Sequence, residues 1–249
     1  MTPVPVASGV LEARSVRVNF PDAHAATILA LDGVSAVFAA GQLTVIVGPS
    51  GSGKSTLLHA LAGIVVPQQG EVVCGAVAVS RLSERRRDAW RLAHCGMVFQ
   101  DFRLIDELDA LGNTLLPAQF QSVRVPAAIR RRAGELLTRF DVPQRSGPVA
   151  RMSRGEQQRV ALSRAMLLDP PLVLADEPTA SLDAGNGGRI AQELQALARA
   201  GKTVVVVTHD PALVALADQV LALRAGRVQS GVQTHLPPDV RAQSGEVFA

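Results

Sequence analysis

Three stretches of this sequence predict an α/β fold with a mostly parallel sheet around a phosphate-binding loop (P-loop). Residues 48–55 carry the spacing G-x-x-x-x-G-K-S between the apolar run Leu43-Thr-Val-Ile-Val47 and a segment of helical period. Leu172-Val-Leu-Ala-Asp176-Glu177 delivers two carboxylates to the end of a second apolar run, and residues 201–209 end a third on Thr208-His209. In a parallel sheet the carboxyl ends of the strands share one edge, where ligands bind. The three stretches therefore converge on one site.

Taken in order, the first eight residues, with Pro3 and Pro5, read as a loose leader. Apolar runs at 10–20 and 28–38, punctuated by Pro21, Asp22 and Gly33, predict a hairpin-like antiparallel edge sheet. Phe20 ends the first run, where it either stacks on a base or fills the core at a strand end. In the loop through Pro49, Gly48, Gly51 and Gly53 permit tight turns, so that the backbone of Ser50 and Ser52 and the start of the helix at Thr56 aim N–H groups at one anion. Lys54 then reaches the β- and γ-phosphates of a nucleotide, and the Ser55 hydroxyl completes a magnesium shell.

Residues 70–79 read as paired strands, 81–95 as an amphipathic helix carrying Trp90, and 96–100 as a short strand. Gln100, at that strand's end, can reach a metal or an attacking water; a glutamine so placed is ordinarily a surface amide. Residues 108–141 have helical composition, cut into short pieces by Pro117, Pro126 and Pro143. They belong to a helical insert spanning about 101–159, set between core segments at about 10–100 and 160–229. After a turn-rich linker at 143–149, Ser153 and Glu156 form a capping box heading a helix to Leu168. Such a helix start favours anions. Asp176 stands where it would hold magnesium through water, and Glu177 where it would polarise a water in line with the terminal phosphate. His209 is presented at the same edge. A strand pair at 220–223 and 227–229 closes the fold around Gly226, leaving 230–249 as a peripheral tail.

Composition sets limits. At 249 residues, 47% apolar and 19% charged, the chain can bury a large single core. It holds no apolar run of membrane-spanning length and no signal pattern at its start, which predicts a soluble protein. Its two cysteines, Cys74 and Cys95, suit neither a disulfide framework nor zinc spacing and read as small buried hydrophobes of a reducing compartment. The net charge of +3 is modest. The clusters at Arg85-Arg86-Arg87 with Arg91 and at Arg130-Arg131-Arg132 read as solvated helix faces without interleaved aromatics, so no nucleic-acid partner is expected.

With these residues in hand, the chain resembles the ATP-binding subunit of ATP-binding-cassette (ABC) transporters over residues 10–229. Gly48 to Ser55 resembles the Walker A loop, Gln100 the Q-loop glutamine, and Ser153-Arg-Gly-Glu-Gln157 the signature. Leu172 to Glu177 resembles Walker B, Ser181-Leu-Asp183 the D-loop, and His209 the switch histidine. Segments 96–101, 175–179 and 208–210 are most similar to the subgroup serving lipoprotein release, macrolide export and cell division.

The resemblance implies one nucleotide-binding domain with an ABC core, an antiparallel β-subdomain and a helical subdomain. It implies two ATP molecules, with Mg2+, sandwiched in a head-to-tail dimer of this chain or a close paralogue. Ser153 and Gly155 would face the partner's nucleotide, Asp183 would bridge the copies, and Phe20 would stack on adenine. Gln100 would couple metal and water to a groove at 101–111 that receives a helix of a membrane permease subunit. The subunit would sit in the cytoplasm, peripheral on the cytoplasmic face of the inner (cell) membrane. Catalysis would fall to Glu177, His209, Lys54 and Gln100, with metal ligation by Ser55, Gln100 and Asp176.

One departure stands out: Met152 and Arg154 replace the signature's usual leucine and first glycine, and Glu156 its glutamine. Arg154 either adds charge near the γ-phosphate or points to solvent. Two rival readings are a soluble ABC-type ATPase acting on DNA or ribosomes and a non-hydrolysing ATP sensor. The stretch from Ser55 to Ser153 is too short for the coiled-coil arm of the first, and Lys54, Asp176, Glu177 and His209 all argue against the second.

Overall fold

A computed structural model describes residues 10–21, 27–122, 124–143, 147–180, 182–229 and 233–234. The leader at 1–8, most of the tail from 230 and Ser181 of the D-loop segment lie outside the described residues. In chain order the elements are β1 (Leu11–Pro21), β2 (Thr27–Phe38), β3 (Leu43–Val47), α1 (Lys54–Leu61), β4 (Gln69–Cys74), β5 (Val77–Ala78), α2 (Glu84–His94) and β6 (Cys95–Val98). They continue with α3 (Ala110–Gln119), α4 (Ala127–Arg139), α5 (Arg154–Met166), β7 (Leu172–Asp176), α6 (Ala184–Arg199), β8 (Thr203–Val207), α7 (Pro211–Leu216), β9 (Gln219–Arg224), β10 (Arg227–Val228) and β11 (Gln233–Thr234).

Two sheets form. One is antiparallel, in the order β2-β1-β4-β5; the other runs β10-β9-β3-β8-β7-β6 and is parallel from β9 to β6. β8 reads Thr-Val-Val-Val-Val and is buried throughout, as a parallel strand covered on both faces must be. Its side chains divide by the period of two. Val204 and Val206 join a core with α3, α4, α5 and α6, while Val205 and Val207 join a second core with α1, Trp90 and the antiparallel sheet. Each fully buried valine contributes about 1.5–3 kcal/mol, so the strand is pinned from both sides. Asp218 fixes the start of β9 beside β3: its carboxylate accepts from Leu43 N–H at 2.8 Å and its own N–H donates to Leu43 O at 2.9 Å.

Several boundaries differ from those the sequence predicts. Pro117 sits inside α3, which continues to Gln119. A proline forfeits only its own N–H bond and one carbonyl's partner, and with the helix ending so soon after, the rest of the turn survives. The segment at 81–95 begins its α-helix only at Glu84, and the strand at 96–100 is β6 at Cys95–Val98, which leaves Gln100 in an exposed turn. Helices α6 and α7 are absent from the sequence reading: the Gly-rich start of α6 hides its apolar stripe of Ile190, Leu194 and Leu197, and α7 has only 6 residues. The arginine clusters are more than solvated faces. Arg91 donates to Gly63 O at 3.0 Å and Arg132 to Leu167 O at 2.9 Å, satisfying carbonyls that helix ends leave open. Cys74 is buried, Cys95 half-buried, and both are free. Burial pushes their thiols up to about 11 and about 12, so neither is a thiolate near neutrality.

Candidate functional site

β3, β8 and β7 are neighbours, and their registers put Ile46 beside Val207 and Val207 beside Asp176. The loops leaving these three strands therefore emerge at one edge. After β3 comes the loop 48–53. Gly48 has φ +152°, and a Cβ there would lie 2.0 Å from Leu223 O; Gly53 has φ +99°, with Ala30 O at 2.4 Å from such a Cβ. Glycine is required at both positions by sterics on two sides. The loop is thereby seated against β9 and β2, and since Phe20 pairs with Ile28 close by on β2, the exposed Phe20 ring stands at the sheet end flanking the loop.

α1 opens on Gly53, which has no side chain to cap it. By contrast α3, α5, α6 and α7 are capped by Asp109, Ser153, Asp183 and Asp210. The first-turn amides of α1 and the helix dipole thus face the loop's concavity, which suits an anion. The buried Lys54 ammonium donates to Gly48 O at 2.8 Å and Pro49 O at 3.0 Å, folded across the loop. Pro49, Ser50, Gly51 and Ser52 form the arch; Ser55 and Thr56 follow on α1.

After β7 the chain presents Asp176 and Glu177. Asp176 is 5% exposed, and its Oδ1 is buried without a hydrogen-bond partner among the described residues. An ionised oxygen so placed is costly without a cation or donor. That chemistry fits magnesium. Glu177 adopts φ +48°, a left-handed conformation uncommon for this residue type and a local strain. Two contacts hold it: Glu177 N–H donates to Val207 O at 2.8 Å, and Gln158 Nε2 donates to Glu177 O at 3.3 Å. After β8, His209 Nε2 lies 3.7 Å from Glu177 Oε1. The edge therefore assembles an ammonium, amides, a bare carboxylate, a second carboxylate and an imidazole in one place, a set that can bind a polyphosphate and activate a water.

Of the other residues singled out in the sequence, Gln100 leaves the same sheet edge, because β6 runs parallel beside β7 with Val98 opposite Ala175, while Ser153, Gly155 and Asp183 stand at helix heads. Gln100 is exposed in the turn after β6. Ser153 and Gly155 stand at the head of α5, where Ser153 Oγ accepts from Glu156 N–H at 3.3 Å and Glu156 Oε2 accepts from Ser153 N–H at 2.8 Å. Asp183 caps α6, accepting from Asn186 N–H at 3.0 Å and from its amide at 2.6 Å; these bonds hold its carboxyl below the usual range. Within one copy, then, Lys54, Asp176, Glu177 and His209 gather at the sheet edge, while the bonds of Ser153 and Asp183 cap their own helices.

Two residues escape the sequence reading. Gln158 is fully buried on α5; the available signal is a polar residue at an apolar-face position. His59 on α1 packs its ring 6.1 Å from that of Phe99. Burial lowers its pKa, the nearby Asp176 charge opposing, so His59 is a neutral spacer between the loop helix and the turn of Gln100.

The ABC transporter family model matches residues 31–180. The chain is 38% identical over 242 residues to the macrolide export ATP-binding/permease protein MacB of Rhodopseudomonas palustris, covering 97% of this chain and 36% of that protein. It is 40% identical over 220 residues to an uncharacterized ABC transporter ATP-binding protein of Mycobacterium tuberculosis, covering 88% of this chain and 65% of the relative. The chain thus spans about a third to two thirds of these relatives' lengths. Among solved structures, the dimeric post-hydrolysis state of the ATP-binding cassette MJ0796 bound to ADP and Pi superposes with TM-score 0.85 at 33% identity, covering 91% of this chain and 99% of that one.

Proposed function

The chain belongs to the ABC transporter ATP-binding family, and from that premise we propose that it is a subunit hydrolysing ATP in a head-to-tail dimer to drive membrane permease subunits. The meeting of Lys54, Asp176, Glu177 and His209 at the carboxyl edge of β3, β7 and β8 supports this most. The relationship to MacB, whose name joins an ATP-binding part to a permease, supports a permease partner and an export-type subgroup. The dimeric cassette MJ0796 supports pairing of copies.

In the proposed mechanism, the backbone N–H groups of 50–56 and the Lys54 ammonium bind the phosphates and neutralise their charge. Phe20 stacks on the base. Ser55, Asp176 and Gln100 would hold Mg2+, which when bound withdraws charge from the phosphate oxygens. Glu177, fixed by its strained backbone, orients a water and accepts its proton; His209 positions the transferring phosphoryl group. Ser153 and Gly155 close the site from the second copy, and Asp183 bridges the two. Closure would move the helical insert at about 101–159.

A groove of about 790 Å³ beside that insert, lined by Leu92, Phe99, Ile105, Leu116 and the exposed Phe120, offers the permease an apolar seat. Among the described residues no helix is long and apolar enough to cross a membrane; the proposal places the subunit peripherally at the cytoplasmic face, held to the permease through this groove.

The test is Glu177→Gln. With ATP it is expected to accumulate a stable dimer while phosphate release falls about 10²-fold or more; wild-type turnover in this variant would remove Glu177 from its role.

A further inference from the structure

Arg154 occupies the first position of α5, where a cation opposes the helix dipole. A favourable contact must offset that cost. Its guanidinium carbon lies over the ring of Phe102, 5.2 Å from the centroid, within cation–π range. Phe102 is 5% exposed and left-handed at φ +60°, followed by Arg103 at φ +49°. Two consecutive non-glycine residues in this region mark a strained turn that the surroundings must hold.

The holding groups come from one helix. Arg164, near the other end of α5, donates to the carbonyls of Phe102 and Arg103, and Arg154 covers the ring. The turn thus gripped begins at Phe99, whose O accepts from Phe102 N–H at 3.0 Å, and it carries Gln100.

We propose that Arg154 is a positioning residue that ties the turn bearing Gln100 to the head of α5, so that the two move as one body. This rests on the function proposed above, in which the head of α5 meets the partner's nucleotide while Gln100 serves its own copy's site. The tie then links the two composite sites: ATP seated against one copy's α5 is felt at Gln100 of that same copy. Arg154 is exposed, yet its guanidinium lies on Phe102, so it acts on the turn and not as a ligand of the γ-phosphate.

The test compares wild type with Arg154→Gly, Arg154→Lys, Phe102→Leu and the double variant Arg154→Gly/Phe102→Leu. Amide exchange of residues 96–104 is read first without nucleotide, then ATPase kinetics. Arg154→Gly is expected to speed exchange in that segment and lower kcat about two- to fivefold, with KM for ATP nearly unchanged. Its Hill coefficient for ATP should fall towards one. Arg154→Lys, which keeps the charge, should rescue part of each effect, and the double variant should be no worse than the poorer single one. Unchanged exchange, or additive effects of the two substitutions, would overturn the tie. So would a raised KM and weakened ATP-dependent dimer with normal exchange, since Arg154 would then act on phosphate. Nucleotide-free exchange judges the tie even if Glu177→Gln does not dimerise, an outcome that counts against the proposed function instead.

Discussion

The backbone of Glu177 turns left-handed immediately after β7, and two bonds, one to Val207 O and one from Gln158 Nε2, keep it there. Gln158→Leu preserves shape and removes one of them. Its expected result is a kcat lowered about fivefold, with KM and melting temperature little changed; steady-state kinetics and a thermal melt check this. Gly48 is less forgiving, because any Cβ would stand 2.0 Å from Leu223 O on backbone already at φ +152°. Gly48→Ala should cost about 1–3 kcal/mol or more and abolish ATP binding, measured by denaturant titration and nucleotide fluorescence. The glycine spacing is legible in the sequence. That Leu223 is what Gly48 avoids is not, since β9 reaches the loop only through the sheet.

Between elements, Asp32 of β2 is the stitch that joins the antiparallel sheet to the end of the parallel one. It accepts from Arg17 of β1 at 2.6 Å and from Arg227 Nε of β10 at 2.8 Å, while its N–H donates to Gly226 O at 2.8 Å. The hydrogen bonds from Arg227 and then Arg17 hold its carboxyl below the usual range. A carboxyl lowered on folding adds stability above its unfolded pKa of about 3.9 and loses it as pH falls through the lower folded value. Wild type should therefore lose melting temperature more steeply than Asp32→Asn between about pH 5 and pH 2, the variant being less stable near neutrality. A parallel decline would exclude this stitch. Strands of strong period such as β3, β7 and β8 are readable from their apolar runs. Helix α6 is not, because glycines at 185, 187 and 188 dilute its first turns and its stripe is defined only by the sheet it covers.

At the scale of the whole molecule, the proposed function gives one copy a phosphate half-site at the sheet edge and a signature half-site at the head of α5. If two copies complete each other, mixing Lys54→Ala with a Ser153→Arg variant, each inactive alone, should restore ATPase activity, since one composite site of the mixed dimer is then intact. Failure of the mixture would argue against shared sites. The sequence by itself determined the glycine spacing of the loop, the capping box at Ser153 and the strands β3, β7 and β8, because these depend on near neighbours: spaced glycines, a serine three before a glutamate, unbroken apolar runs. Only the tertiary structure decided that Gln158 supports Glu177, that Asp32 joins two sheets, and that Arg154 lies on Phe102. Those partners lie far apart along the chain, and packing rather than local preference selects them.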